Sequence, residues 1–71
     1  MTEREAYEQL FAHYGPRRAR LLVGVLRLLL LYGEDEVRRR GYLSKPALEQ
    51  SLRAVRLAGI AWPDDLRGVP R

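Results

Sequence analysis

A chain of 71 residues with no cysteine and a single histidine excludes disulfide bonds and thiolate metal sites, and it offers no pair of histidines to hold a metal. Its 13 basic and 9 acidic residues give a formal net charge of +4, and every basic residue except Lys45 is arginine. This balance favours an anionic partner, because the guanidinium fork suits phosphate and carboxylate groups. Genome base composition, or a hot habitat, would also produce an arginine-rich chain without Asn.

The small size of the chain bears on its stability and location. A domain of this length buries only about 60% of the surface that its unfolded chain exposes, so its margin of stability should be thin. With disulfides and metals excluded, oligomerisation is the remaining source of added stability. The lack of cysteine and of a charged-then-apolar signal segment indicates a cytoplasmic protein, and we expect no cofactor.

The first predicted helix begins at Thr2, because Thr2 and Glu5 have the spacing of a capping box. Apolar and aromatic residues then recur at helical spacing and define a face that we expect to dock on the rest of the domain: Tyr7, Leu10, Phe11 and Tyr14. Polar residues face elsewhere: Glu3, Arg4, Glu8 and Gln9. The pair Gly15-Pro16 ends this helix and opens the next one.

The second predicted helix, Pro16 to about Tyr32, is the hydrophobic centre of the molecule. Apolar residues cover most of its circumference and leave one polar stripe: Arg20, Gly24 and Arg27. Such a helix must be covered nearly all round, either by the other helices or by a second copy along a homodimer seam. Its apolar stretch is too short to span a bilayer, so we expect no membrane partner. Gly33 should end it as a left-handed cap.

The third predicted helix carries acidic residues at 34–36 and arginines at 38–40, an arrangement that suits the helix dipole at both ends. Much of this charge run therefore has a structural explanation. Gly41 should take the positive φ that turns the chain, and Tyr42 or Leu43 should return to the core.

Ser44 is a suitable N-cap for a fourth helix, with Pro46 in its first turn and Leu43 able to pack on Leu48. The helix should bury a core stripe consisting of Leu48, Leu52 and Val55, and expose a polar face consisting of Glu49, Gln50 and Arg53, with Arg56 at its border. Gly59 ends it. The remaining segment to Arg71 contains Pro63 and Pro70 and should pack irregularly through Trp62 and Leu66.

No motif for catalysis competes with these helices. His13 has no nearby nucleophile in sequence, and the adjacent carboxylates of Asp64 and Asp65 lack the spacing of a calcium or magnesium loop. Arg17 and Arg18 lie at a helix start and could hold a phosphate, but without the spacing of a phosphate loop. We therefore expect no enzyme activity.

Residues 37–46, followed by Leu48, Leu52, Val55 and the ending Ala58-Gly59-Ile60, resemble the helix-turn-helix of small winged-helix and phage-type DNA-binding proteins. In that family a glycine makes the turn, a Ser or Thr opens the recognition helix, and a small-Gly-aliphatic ending follows it. Residues 28–33 are similar to the supporting segment of phage and plasmid replication proteins. The chain departs from the family at Arg40, where an apolar residue is usual, at Glu49, which would repel phosphate, and after Gly59, where no strand pattern follows.

The resemblance implies duplex DNA as the partner and a regulatory or replication accessory role. We also expect a homodimer, because the second helix presents more apolar circumference than three short neighbours can easily cover. It places side chains of the fourth helix in the major groove, namely Ser44, Lys45, Gln50 and Arg53. It assigns phosphate contacts to Arg38, Arg39 and Arg40. The alternative is a phage-type module that binds a host protein through its aromatic first helix or through surplus apolar residues, namely Leu22, Val25, Leu26 and Leu29. Either way we predict one all-α domain of four helices over 1–71, with the helix-turn-helix-like unit at about 35–59.

Overall fold

The structure, a computed structural model, describes residues 1–66. In this range the chain forms four α-helices and a short 3₁₀ turn: α1 Glu3–Tyr14, α2 Pro16–Tyr32, α3 Glu34–Arg40, α4 Lys45–Leu57 and the 3₁₀ turn Asp64–Leu66. Residues 1–66 contain no strand. The prediction of a small all-α domain with four helices is confirmed. Pro70, which was assigned to the irregular tail, lies outside the described residues.

Local capping signals account for the helix bounds. Thr2 and Glu5 form the predicted capping box, in which each side chain bonds the backbone N–H of the other residue at 3.2 Å. Gly41 is left-handed, with φ 69° and ψ 30°, as predicted. Gly33 also has a positive φ of 85°, but its ψ of 154° is extended, so the prediction of a left-handed cap there was wrong. The reason is that Gly33 both ends α2 and precedes the first residue of α3, which requires an extended entry.

The core consists of two clusters that meet on α2. The first joins α2 to α1, to the end of α4 and to the following segment, with Leu10, Leu26, Val55, Ile60 and Leu66 among its most buried members. The second joins α2 to α3 and to the start of α4 and consists of Val25, Leu29, Val37, Leu48 and Leu52. Because α2 supplies both clusters, it is the central helix, as predicted.

This packing corrects the predicted docking surface of the protein-binding alternative. Its four named residues, Leu22, Val25, Leu26 and Leu29, are between 2% and 9% exposed, so they belong to the core and cannot contact a partner. The three neighbouring helices therefore cover the inner side of α2. The large hydrophobic residues that stay exposed on α2 are Leu21 and Leu31, on its opposite side, at 71% and 54%, and Tyr32 at its last position, at 48%.

The predicted division of α1 into an aromatic and a polar face also needs correction. Phe11 is 47% exposed, although Leu10 is fully buried and Tyr7 and Tyr14 are partly buried. Gln9, predicted to face elsewhere, points inward, and its Nε2 donates a 2.7 Å hydrogen bond to the carbonyl of Ala58. The last carbonyls of a helix have no donor within that helix, and Gln9 supplies the donor for the carbonyl of Ala58 at the end of α4.

Candidate nucleic-acid interface

The turn between α3 and α4 consists of residues 41–44 and is held at both ends. On the α3 side, the N–H groups of Gly41 and Tyr42 donate to the carbonyls of Arg38 and Val37, each at 3.3 Å. On the α4 side, the Ser44 Oγ accepts a 3.3 Å hydrogen bond from the Ala47 N–H, which confirms Ser44 as the N-cap. Leu43 packs against the cluster that contains Leu48. These contacts place α4 on α2 through one side.

The opposite side of α4 faces solvent and is polar and basic. Its exposed residues are Lys45, Pro46, Glu49, Gln50, Arg53, Arg56 and Leu57. Four of them, Pro46, Glu49, Gln50 and Arg53, line one open surface groove. The structure therefore brings together Gln50 and Arg53, and places Lys45 and Ser44 at the N-terminal end of the same helix. Ser44 is exposed, but its oxygen already accepts the capping hydrogen bond.

The three arginines of α3 lie in a different electrostatic setting. Arg38 pairs with Glu34 at 3.0 Å, Arg39 pairs with Glu36 at 2.7 Å, and Arg40 also pairs with Glu36. Hydrogen bonds from Arg39, and then from Arg40, hold the pKa of Glu36 below its ordinary value. The Tyr42 hydroxyl, and then Glu36, raise the pKa of Arg40. The residues predicted to hold phosphates thus already share carboxylates within their own helix.

The basic residue that sequence reasoning did not connect to α4 is Arg18. Its guanidinium carbon lies 4.6 Å from the centre of the Tyr14 ring, and the Tyr14 hydroxyl donates a 2.8 Å hydrogen bond to the carbonyl of Ala54 on α4. Arg18 and Tyr14 consequently line a second surface groove together with Gln50, Arg53, Ala54 and Leu57. Gln50 and Arg53 line both grooves.

We call the exposed cations of α4 together with Arg18 the α4 basic face and define it as Arg18, Lys45, Arg53 and Arg56. Within residues 1–66 none of the four forms an ion pair with a carboxylate. The one acidic residue on the exposed side of α4 is Glu49. The face therefore has four cations against one carboxylate, whereas α3 has three of each. Of the unpaired cations in residues 1–66, three lie on α4 and the others, Arg17, Arg18 and Arg20, lie near the start of α2. Arg38 and Lys45 also line one surface depression with Leu43.

The sequence held only part of the signal for this arrangement. The sequence identifies Gly15-Pro16-Arg17-Arg18 as a possible phosphate contact. It does not show that Arg18 lies beside α4, because that position depends on the hydrogen bond from the Tyr14 hydroxyl to the carbonyl of Ala54, forty residues away in sequence. His13 is exposed at the end of α1, with its ring 6.0 Å from that of Tyr14. Asp65 accepts a 2.7 Å hydrogen bond from the Ala61 N–H, so it stabilises a turn.

Metal sites and membrane-spanning helices are the other features to consider in the described residues. Residues 1–66 contain no grouping of three or more His, Asp or Glu side chains that could hold a metal ion. Over the same residues, no helix combines the length and the apolar character that crossing a bilayer requires. Comparison of the chain with protein-family models, with curated proteins and with solved structures gave no match.

Proposed function

We propose that this chain binds duplex DNA with α4 as its recognition helix, in a regulatory or replication accessory role in the cytoplasm, and that it acts as a homodimer. The observation that carries the proposal is the α4 basic face. It combines free cations with the exposed amide of Gln50 on a helix that follows α3 after a four-residue glycine turn. This is the order of parts on which the resemblance to helix-turn-helix proteins rests.

The dimensions and chemistry of α4 support this role. A helix of thirteen residues is about 20 Å long, and the major groove of B-DNA is wide enough to admit an α-helix. Arginine pairs with the O6 and N7 atoms of guanine, and glutamine pairs with the N6 and N7 atoms of adenine. Arg53 and Gln50 are the two side chains of the shared groove region that can make such pairs. We therefore assign base contacts to Gln50 and Arg53.

Phosphate contacts are divided between two sets of residues in this proposal. Arg18 lines a groove with the recognition residues, Lys45 and Arg56 are exposed on the same helix as those residues, and none of the three needs to break an ion pair to meet a phosphate. Arg38, Arg39 and Arg40 can contribute only by exchanging a carboxylate for a phosphate, which lowers their net gain. Arg38, which borders the same depression as Lys45, is the best placed of the three.

The direct test is a titration of mixed-sequence duplex DNA at several salt concentrations. Neutralised phosphates release counterions, so about four to six contacts in a dimer should give a log-log slope of about −4 to −5. No detectable binding at low ionic strength would contradict the proposal. The protein-binding alternative would then remain, but it would have to use residues other than the buried Leu22, Val25, Leu26 and Leu29.

Sequence preference provides a second test. We expect a selection on random duplexes to yield a preferred site, and Arg53→Ala or Gln50→Ala should each reduce that preference by about 1 to 3 kcal/mol with little change on a scrambled site. The matched control for Arg53→Ala is Arg4→Ala. It also removes one positive charge, but from an exposed ion pair with Glu8 in the N-terminal half of α1. Retained preference in both α4 variants would show that α4 does not read the bases.

A further inference from the structure

The outer side of α2 carries an apolar stripe that the rest of residues 1–66 covers only in part, where Leu28 packs against the second core cluster. Leu21 is 71% exposed, Leu31 is 54% exposed and Leu28 is partly buried. Together with two further residues they form a series with spacings of four, three, four and three positions: Arg17, Leu21, Gly24, Leu28 and Leu31. That is the 3.5-residue repeat with which two helices pack along a seam at a shallow crossing angle. We call this set the α2 outer stripe.

Gly24 lies at the midpoint of the stripe and eight residues from each end of α2. Its φ is not in the left-handed region, and an added Cβ would meet nothing within 4 Å. The fold of one copy therefore does not need a glycine here, although glycine disfavours a helix interior by about 1 kcal/mol relative to alanine. A glycine at the centre of an exposed apolar stripe allows the backbone of another helix to approach closely.

The charges at the two ends of the stripe indicate what that other helix is. Its N-terminal end carries Arg17, beside the exposed Arg20, and its C-terminal end leads into the acidic first turn of α3, where Asp35 is exposed. In residues 1–66 none of these three side chains forms an ion pair. A second copy running antiparallel would bring the basic end of each stripe to the acidic end of the other. A parallel copy would align like charges at both ends.

We propose that the α2 outer stripe is the seam of an antiparallel homodimer whose two-fold axis passes close to Gly24. In this arrangement Leu21 of one protomer packs against Leu28 of its partner. Arg17 of one protomer reaches past Leu31 of its partner towards the partner's Asp35. The seam is about 21 Å long, from the 1.5 Å rise over the fourteen steps between Arg17 and Leu31, and has three large apolar residues on each side. It uses neither the core face of α2 nor the α4 basic face, so it does not depend on DNA binding.

Engineered disulfides test the alignment directly, because the chain has no native cysteine. We expect oxidation of an equimolar mixture of a Leu21→Cys chain and a Leu28→Cys chain, without DNA, to give mainly the mixed disulfide. Either chain alone should stay mostly monomeric on a non-reducing gel. Efficient homodisulfides of Leu21→Cys or of Leu28→Cys would indicate a parallel seam and overturn the proposal. A Leu57→Cys chain, with an equally exposed leucine on α4, is the control for random collision.

Sedimentation equilibrium from micromolar to millimolar concentration tests the seam itself. The native chain should approach twice its mass of 8.2 kDa as concentration rises, and Gly24→Arg should remain a monomer with unchanged helix content by circular dichroism. Arg17→Asp or Asp35→Arg alone should weaken association about ten-fold, and the double variant should restore most of it. A native chain that is monomeric throughout, or a Gly24→Arg dimer as tight as the native one, would overturn the proposal. DNA binding by a monomer would overturn the homodimer but leave α4 standing as the recognition helix.

Discussion

The two helices of the helix-turn-helix-like unit carry the same number of cations but differ in how those cations are balanced. In α3 the three arginines at 38–40 follow three acidic residues within seven positions, and the side chains pair at spacings of three and four. In α4 the cations Lys45, Arg53 and Arg56 accompany the single carboxylate of Glu49, and none of them forms an ion pair within residues 1–66.

This difference shows that the densest run of charge is not the most available one. In α3 each arginine has an acidic partner three or four residues earlier on the same helix, so it is paired before it meets a ligand. Cations that are spread along an exposed helix remain free to bind an anion. The comparison predicts that α4 and the neighbouring Arg18 dominate binding to DNA and that α3 contributes less. Four experiments would test or refine it.

The largest effect should come from removing free cations. We expect the double variant Arg18→Gln/Arg53→Gln to lower affinity for a selected duplex by about 100-fold or more, since both side chains lie in one groove and neither forms an ion pair within residues 1–66. The charge-matched variant Arg38→Gln/Arg39→Gln should lose less than about 10-fold. Fluorescence anisotropy titrations of both variants against the native chain give the two ratios. Equal losses would contradict the distinction between the two helices.

The glycines that follow the two helices, Gly41 after α3 and Gly59 after α4, should differ in how much an alanine substitution destabilises the fold. Gly41 and Gly59 both have a positive φ, which costs an alanine about 1 to 2 kcal/mol. An added Cβ at Gly59 would also lie 2.7 Å from Nε2 of Gln9, whereas one at Gly41 would meet nothing within 4 Å. Urea unfolding should therefore show a larger loss of unfolding free energy for Gly59→Ala, about 2 to 3 kcal/mol, than for Gly41→Ala. Adding Gln9→Ala to Gly59→Ala should remove the steric part of the loss and expose the unsatisfied carbonyl of Ala58 instead.

A smaller effect should follow from freeing the arginines of α3. Glu36→Gln removes the carboxylate that Arg39 and Arg40 share, so both guanidiniums become available to phosphate. We expect a gain of a few-fold in affinity for mixed-sequence DNA and a log-log salt slope steeper by about 1 to 2. Glu8→Gln on α1, which removes the partner of Arg4, is the control for net charge alone. An identical gain in both variants would show that α3 does not contact DNA.

The smallest effect concerns pH. The pKa of Glu36 is lowered below its ordinary value of 4.5, chiefly by the hydrogen bond from Arg39 and then by that from Arg40. A carboxyl with a lowered folded-state pKa contributes stability that is present above the ordinary value and is lost as pH falls through the lowered one. The melting temperature of the native chain should fall more below about pH 4.5 than that of Glu36→Gln. Because Glu36 is exposed to solvent screening, the difference should be small and should shrink further at high salt.

Most of the fold could be predicted from local signals. The capping box at Thr2, the Ser44 cap and the glycines at 15, 33, 41 and 59 place the helix bounds, because caps and turns depend on a few neighbouring residues. The core stripe of α4 follows from its periodicity. The ψ of Gly33 was mispredicted because one residue there serves two helices, which no single capping rule describes.

The predicted DNA contacts remain a proposal. Some features of the residues that would make them, such as their position on an exposed helix, could be predicted from the sequence, and others could not. Ser44, Lys45, Gln50 and Arg53 lie on one exposed helix because amphipathic spacing alone determines which residues share a face. The internal pairing of α3 could also have been foreseen, since the i to i+3 and i to i+4 spacings are written in the chain. The inclusion of Arg18 could not, because it follows from a hydrogen bond between Tyr14 and Ala54.

The sequence by itself thus determined the four helices, their ends and the exposed polar side of α4, since these depend on short-range spacing. Tertiary structure decided which side of α2 is buried, because a helix that is apolar nearly all round has no periodicity to orient it. It turned Leu26 into the core and left Leu21 and Leu31 outside. It also brought Gln9 to the end of α4 and Arg18 to the α4 basic face, contacts between residues far apart in the chain that only packing around α2 can bring together.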